Sequence, residues 1–232
     1  MEGAAAADMR LAKPHLDLGL FTNGIQEQRA FWTDTVGLRL DHELEMGPGW
    51  VQHRFDAWGS VIKVNHRSER LPVLPPSGYV GLSIVTDGPP LSARDADGNA
   101  VRTVARGTHG LVRIGITVRS PDPDRLTAFY CDVLEFDRVD ERTVRAGDTL
   151  IFVERGPGGS DTEDFIGPGY RYLTVQIFDA DQALREIAAR GGRVARQAVS
   201  FRDVARYGLV KDPDGNWIEI SARASLTGIK PV

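Results

Sequence analysis

Glu219 and His15 are the two side chains whose setting points most directly to chemistry. Glu219 follows a tight turn, Asp212-Pro-Asp-Gly-Asn, on the alternating run Trp217-Ile-Glu-Ile. It therefore shares a strand face with Trp217, while Ile218 and Ile220 take the other. A carboxylate lining an apolar cavity has its pKa raised and can serve as a general base. His15 opens a second alternating run, in which Leu16, Leu18 and Leu20 point one way and His15, Asp17 and Gly19 the other. Its imidazole titrates near neutral pH and can carry a proton or ligate a metal. His53, in the strand-like run Val51-Gln-His-Arg-Phe, could face the same space as His15. Two plainer readings stay open: His15 as an exposed residue at a strand edge, and Glu219 as the ion-pair partner of Arg113. The single cysteine, Cys131, falls on a helix without a triad partner, and no glycine run has the spacing of a phosphate-binding loop.

The elements that must position these side chains are written more than once in the chain. His15–Thr22 matches Arg113–Ser120, and Phe31-Trp-Thr-Asp falls on Phe129-Tyr-Cys-Asp at the same offset of 98 residues. An ungapped duplication of strand, turn and helix implies a fold assembled from copies of one unit. In the second copy Leu126, Phe129, Tyr130, Val133 and Leu134 form an amphipathic stripe that can cover the strand's apolar face. The polar face is left to line something else. Further strands fit near 50–55, 61–64, 143–145 and 150–153, giving a strand–helix–strand–strand–strand unit. Two loop-rich segments, 67–78 and 156–169, follow in corresponding places. A third unit begins at Tyr79 and a fourth at Tyr172. The Tyr172 unit has a helix over 181–190 stopped by Gly191-Gly192, whereas the Tyr79 unit has lost its helix and at least one strand.

The sequence thus predicts an α+β fold of four repeated βαβββ modules, the second in chain order abbreviated. The expected division is an N-terminal tail over 1–14, one domain over 15–106, a second over 110–223 and a C-terminal tail over 224–232. The 232 residues carry a net charge of −4 with both signs dispersed, which argues against nucleic acid or a membrane surface as partner. No apolar run approaches the ~20 residues of a membrane span. The N-terminus lacks the features of a secretion signal, so a cytoplasmic location is expected.

Two motifs, Ala128-Phe-Tyr-Cys-Asp-Val-Leu-Glu-Phe after a strand and Lys211-Asp-Pro-Asp-Gly-Asn-Trp-Ile-Glu-Ile, resemble the vicinal oxygen chelate superfamily. That group includes glyoxalase I, bleomycin-resistance proteins and extradiol dioxygenases. The resemblance implies modules paired into two open barrels, a small-molecule ligand and a possible homodimer. It implies no single reaction, because the fold hosts lyases, isomerases, oxygenases and plain binders. Catalytic members hold a divalent metal, such as iron, manganese or zinc, through residues on each module's first and last strands. Here those positions fall on His15 and Lys63, Tyr79 and Arg102, Arg113, and Tyr172 and Glu219. A protonated lysine repels a cation, so no metal is expected, with His15, His53 and Glu219 the only residues that could hold one. Arg113 and Tyr172, and likewise Lys63 and Tyr79, would instead bind a substrate carboxylate or enolate oxygen.

The expected function is lyase- or isomerase-like proton transfer on an enol, diol or keto acid, with His15 or Glu219 as base. The alternatives are a metal-free binding protein of the bleomycin-resistance type and an extradiol dioxygenase-like oxygenase with an atypical iron site.

Overall fold

The computed structural model describes residues 9–231. Module 1 consists of β1 (Asp17–Thr22), α1 (Ile25–Ala30), β2 (Arg39–Gly47), β3 (Trp50–Ala57) and β4 (Ser60–Arg67). Module 2 keeps only β5 (Tyr79–Val85), β6 (Leu91–Arg94) and β7 (Ala100–Val104). Module 3 has β8 (Ile114–Ser120), α2 (Pro123–Ala128), β9 (Asp137–Arg138), β10 (Thr143–Ala146) and β11 (Thr149–Arg155). Module 4 has β12 (Gly169–Gln176), α3 (Ala180–Ala189), β13 (Arg193–Phe201), β14 (Ala205–Lys211) and β15 (Trp217–Arg223). The duplicated Phe31 and Phe129 segments form matching π-helical turns after α1 and α2. The side chain of Asp122 caps α2 by accepting from the Arg125 N–H, with Pro123 in the first helical turn.

The modules pair as first with fourth and second with third. One sheet runs β13-β14-β15-β12-β1-β4-β3-β2 and the other β6-β7-β5-β8-β11-β10-β9. In each, the first strands of two modules meet antiparallel at the centre, β1 on β12 and β5 on β8. The expected domains 15–106 and 110–223 therefore do not correspond to the sheets. Segment 106–110 is a turn joining β7 to β8 within one sheet. The physical reason lies in the two loop-rich segments. The proline-rich 68–78 carries the chain from the first sheet to the second, and the glycine-rich 156–168 carries it back. Buried Arg171 ties the two crossings together, donating to the carbonyls of Gly167 and Pro168 and to that of Pro75.

The apolar faces of both sheets share one core. Leu18 and Leu20 of β1 and Leu16 just before it, Ile62 and Val64 of β4, Ile114, Ile116 and Val118 of β8, and Leu184 and Ile187 of α3 are all buried in it. Burying such side chains contributes roughly 1.5–3 kcal/mol each before the cost of ordering the chain. The opposite, polar faces of the sheets are left free to form sites. Residues 9–12 are not a free tail: Leu11 bridges Ile177 and the Ala12 N–H donates to the Gln176 carbonyl. Residues 1–8 of the expected N-terminal tail lie outside the described residues. Of the C-terminal tail, 224–227 form a short helix, α4. Among the described residues no helix is long and apolar enough to cross a membrane.

Candidate functional site

The concave face of the first sheet gathers charged side chains that strand alternation alone aims inward. Lys63 on β4 and Glu219 on β15 hold equivalent places in modules 1 and 4, and the sheet brings them together. Lys63 Nζ donates to Glu219 Oε1 at 3.1 Å and to Thr174 Oγ1 at 2.7 Å. Lys63 is 3% exposed, and burial pulls its pKa down against the opposing pull of Glu219 and Asp17. Its ammonium also lies 5.5 Å from the centre of the Tyr172 ring. The Tyr172 hydroxyl accepts from Asn65 at 3.1 Å and from Gln52 at 3.4 Å. Burial, with Glu219 nearby, raises its pKa well above the ordinary phenol value, so it stays protonated.

Around this centre stand Arg54 of β3, Gln176 of β12, Tyr207 of β14, and Ser221 and Arg223 of β15. Trp50, Phe165 and Phe201 form the apolar rim, leaving a cavity of ≈ 40 Å³ for water-sized groups, room for at least one ordered water or a small polar group. Phe165 reaches it from the second crossing loop and packs on Tyr172, Phe21 and Trp217. Gly19 is required opposite Tyr172, because a Cβ there would lie 2.1 Å from its ring.

Of the six residues expected to do chemistry or bind substrate, Glu219, Lys63 and Tyr172 meet in this cavity. His15, Arg113 and Tyr79 lie elsewhere. The β10–β11 turn docks on Pro14–Leu16 through the Asp148 N–H to the Pro14 carbonyl and the Leu16 N–H to Thr149 Oγ1. That draws His15 toward Asp148, with Nδ1 3.4 Å from its carboxylate. Arg113 Nε holds the same carboxylate at 2.8 Å and its guanidinium also reaches the Trp58 carbonyl. This cluster is a joint between modules 1 and 3, so the expected Arg113–Glu219 pair does not form. Burial and the cations Arg113 and Lys13 lower the His15 pKa. Tyr79 is buried in the core and donates to the Trp217 carbonyl at 3.1 Å. His53 falls on the opposite face of β3 from Gln52 and Arg54, with Nδ1 3.0 Å from Glu43; the expectation that it shares a space with His15 is overturned.

Asp17, Arg54 and Arg223 were missed as site residues. Alternation already placed Asp17 on the polar face of β1 and Arg223 on the Glu219 face of β15. For Arg54 the one signal was its position beside His53 in an alternating run. Asp17 is fully buried, accepting from Lys13 Nζ at 2.5 Å and from the Val61 N–H at 2.8 Å. Burial alone would raise its pKa, but the charges of Lys13, Lys63 and Arg54 together bring it below the usual value.

The residues at the superfamily's metal positions do not fit a divalent ion. Lys63 puts a cation where a ligand should be, Tyr172 keeps its proton, and His15 is held at Asp148. Among the described residues no three His, Cys, Asp or Glu side chains come together.

The second sheet has a wider polar groove of ≈ 460 Å³, lined by Arg94, Arg102, Thr117, Arg119 and Glu154 among others. Its outer strands are short, with four residues in β6 and two in β9, against nine in each of β2 and β13. The groove is correspondingly open.

Two paired modules thus enclose a charged cavity on the first sheet. Residues 110–220 match the Glyoxalase/Bleomycin resistance protein/Dioxygenase superfamily. No curated protein matches the sequence. Among solved structures, glyoxalase I from Zea mays shares 14% identity at a TM-score of 0.68, covering 90% of this chain and 92% of that one. A variant of the same maize enzyme reaches 0.72 at 12% identity, with coverage of 93% and 95%. The "putative dioxygenase" from Bacillus subtilis subsp. subtilis str. 168 reaches 0.66 at 16% identity, with coverage of 94% and 86%. At these identities the likeness is one of fold.

Proposed function

We propose that the protein acts on a small oxygenated organic substrate, a keto, enol or diol compound, by lyase- or isomerase-like proton transfer in the cavity of the first sheet. The observation that carries this reading is the Lys63–Glu219 pair. A buried ammonium stands where the superfamily's metal would polarise an oxygen, with a carboxylate 3.1 Å away. Lys63 has three N–H donors, of which two go to Thr174 and Glu219. The third can hold a substrate carbonyl oxygen. Glu219 then takes the proton from the neighbouring carbon, the electron pair moves onto the oxygen, and Lys63 stabilises the enolate that forms. In an enediol, delivery of the proton to the former carbonyl carbon, with the hydroxyl proton passing from one oxygen to the other, completes an isomerisation; return to the original carbon gives only exchange, and loss of a leaving group from the enolate completes an elimination. Tyr172, held by Asn65 and Gln52, donates a second hydrogen bond from a phenol that stays protonated.

The superfamily's binders give a second reading, favoured by the same contact: Lys63 and Glu219 satisfy each other, as a purely structural pair would. Solvent exchange separates the two. In D₂O the protein is incubated with pyruvate and with dihydroxyacetone, and deuterium entry at carbon is followed by NMR. Exchange above buffer that falls by about 10²-fold or more in Glu219→Gln and in Lys63→Met supports catalysis. Saturable binding of either compound without exchange leaves the binding protein.

A further inference from the structure

Two arginines in this cavity have no counter-ion, and that imbalance specifies the ligand more closely. Arg54 is 4% exposed. Its guanidinium donates to Gln52 Oε1 at 2.6 Å, and its Nε is buried without a hydrogen-bond partner. The Arg223 guanidinium lies 3.5 Å from the His42 imidazole, with Asp17, Glu219 and Asp41 acting on it from further away. Among the described residues neither arginine has a carboxylate within 4 Å. The two carboxylates of this layer are engaged already, Asp17 by Lys13 and Glu219 by Lys63. Lys13, Lys63, Arg54 and Arg223 thus set four cations against these two carboxylates.

A buried guanidinium with no adjacent carboxylate and an unpaired Nε is costly, and a bound anion is the natural way to offset it. A second orphan faces the same cavity: the Gln176 side-chain oxygen is buried with no donor. An occupant that satisfies both carries a carboxylate for the arginines and a hydroxyl for Gln176. We propose that Arg54 and Arg223 form the carboxylate subsite of this cavity, so that its ligand is a small hydroxy or enol acid. This rests on the reading of the cavity as a small-molecule site. The planar, two-pronged guanidinium suits a carboxylate, and the narrow cavity suits a small one.

The test is thermal unfolding of the full chain in anion-poor buffer, with added lactate, the neutral isostere lactamide, inorganic phosphate or sulfate at matched ionic strength. Lactate is expected to raise Tm by about 2 °C or more at saturating concentration, and lactamide to leave it unchanged. Arg54→Met and Arg223→Met each abolish the lactate shift. Without anions both variants unfold at the native Tm or above it, because each removes an uncompensated charge. No lactate shift, or variants that unfold several degrees lower without anions, would overturn the proposal and make the arginines structural. Phosphate or sulfate shifts as large as that of lactate would overturn the carboxylate class. Failure here is separable from failure of proton transfer. Lactate stabilisation without deuterium exchange on any compound keeps the subsite and removes the catalysis. Exchange on dihydroxyacetone with no lactate effect does the reverse.

Discussion

The two sheets start from the same repeated module and end with opposite electrostatics. On the first sheet, Lys63 and Glu219 pair at 4% and 17% side-chain exposure. On the second, Arg119 and Glu154 pair at 47% and 46%. The difference follows from the walls. β2 and β13, nine residues each, flank the first concave face, and Phe165 closes it from the crossing loop. The second sheet has lost a helix and a strand from module 2, and its remaining outer strands are short. Charges are brought into low dielectric only where a wall excludes water. The complete pair of modules therefore holds the buried charged cavity, and the abbreviated pair keeps solvated arginines.

The strongest way to break this comparison is to remove one carboxylate from each sheet. Glu219→Leu strands the Lys63 ammonium and is expected to destabilise the protein by about 3 kcal/mol in denaturant titration. Adding Lys63→Met to it should restore most of that loss. Equal losses from Glu219→Leu and Glu154→Leu would show that the two pairs do not differ in burial.

Glycines on the two concave faces give a second contrast of intermediate size. Gly19→Ala drives a Cβ into the Tyr172 ring and should cost roughly 1–3 kcal/mol. It should also weaken lactate binding. Gly81→Ala meets only Thr117, at an ordinary 3.6 Å, and is expected to change stability by well under half as much. A tolerated Gly19→Ala would mean that Tyr172 is not fixed by packing.

Asp17 supplies a pH signature on the first sheet. Its folded pKa lies below the ordinary value of about 3.9, so its stabilisation is fully present above that pH. It is lost as pH falls through the depressed folded value. Asp17→Asn should therefore be less stable than the native protein near neutrality, with the gap closing below about pH 4. Acid titration of unfolding free energy in both proteins reads this directly. The smallest expected effect is that of Glu154→Gln, within about 1 kcal/mol and fading with added salt.

Much of this was legible before folding was considered. Alternation put Glu219 beside Trp217 on one strand face, the resemblance to the superfamily pointed to Lys63 and Tyr172, and the missing helix after Tyr79–Val85 marked module 2 as abbreviated. The errors have two causes. His15 and Arg113 carry functional residue types at the superfamily's first-strand positions, but a docked turn between modules 1 and 3 claims both for Asp148. His53 was misjudged by one residue of strand phase, which in a β-strand exchanges one face for the other.

The sequence by itself determined the repeat, the module boundaries and which residues of each strand lie on the same side, because those depend on local periodicity and turn chemistry. Only the tertiary structure decided that module 1 lies beside module 4. Strand pairing across more than 150 residues, Asp17 on Thr174 and Gly19 on Tyr172, is a long-range choice made by shared core burial and by the two crossing loops. That choice brought Lys63 to Glu219 and left Arg54 and Arg223 facing the cavity without carboxylates of their own.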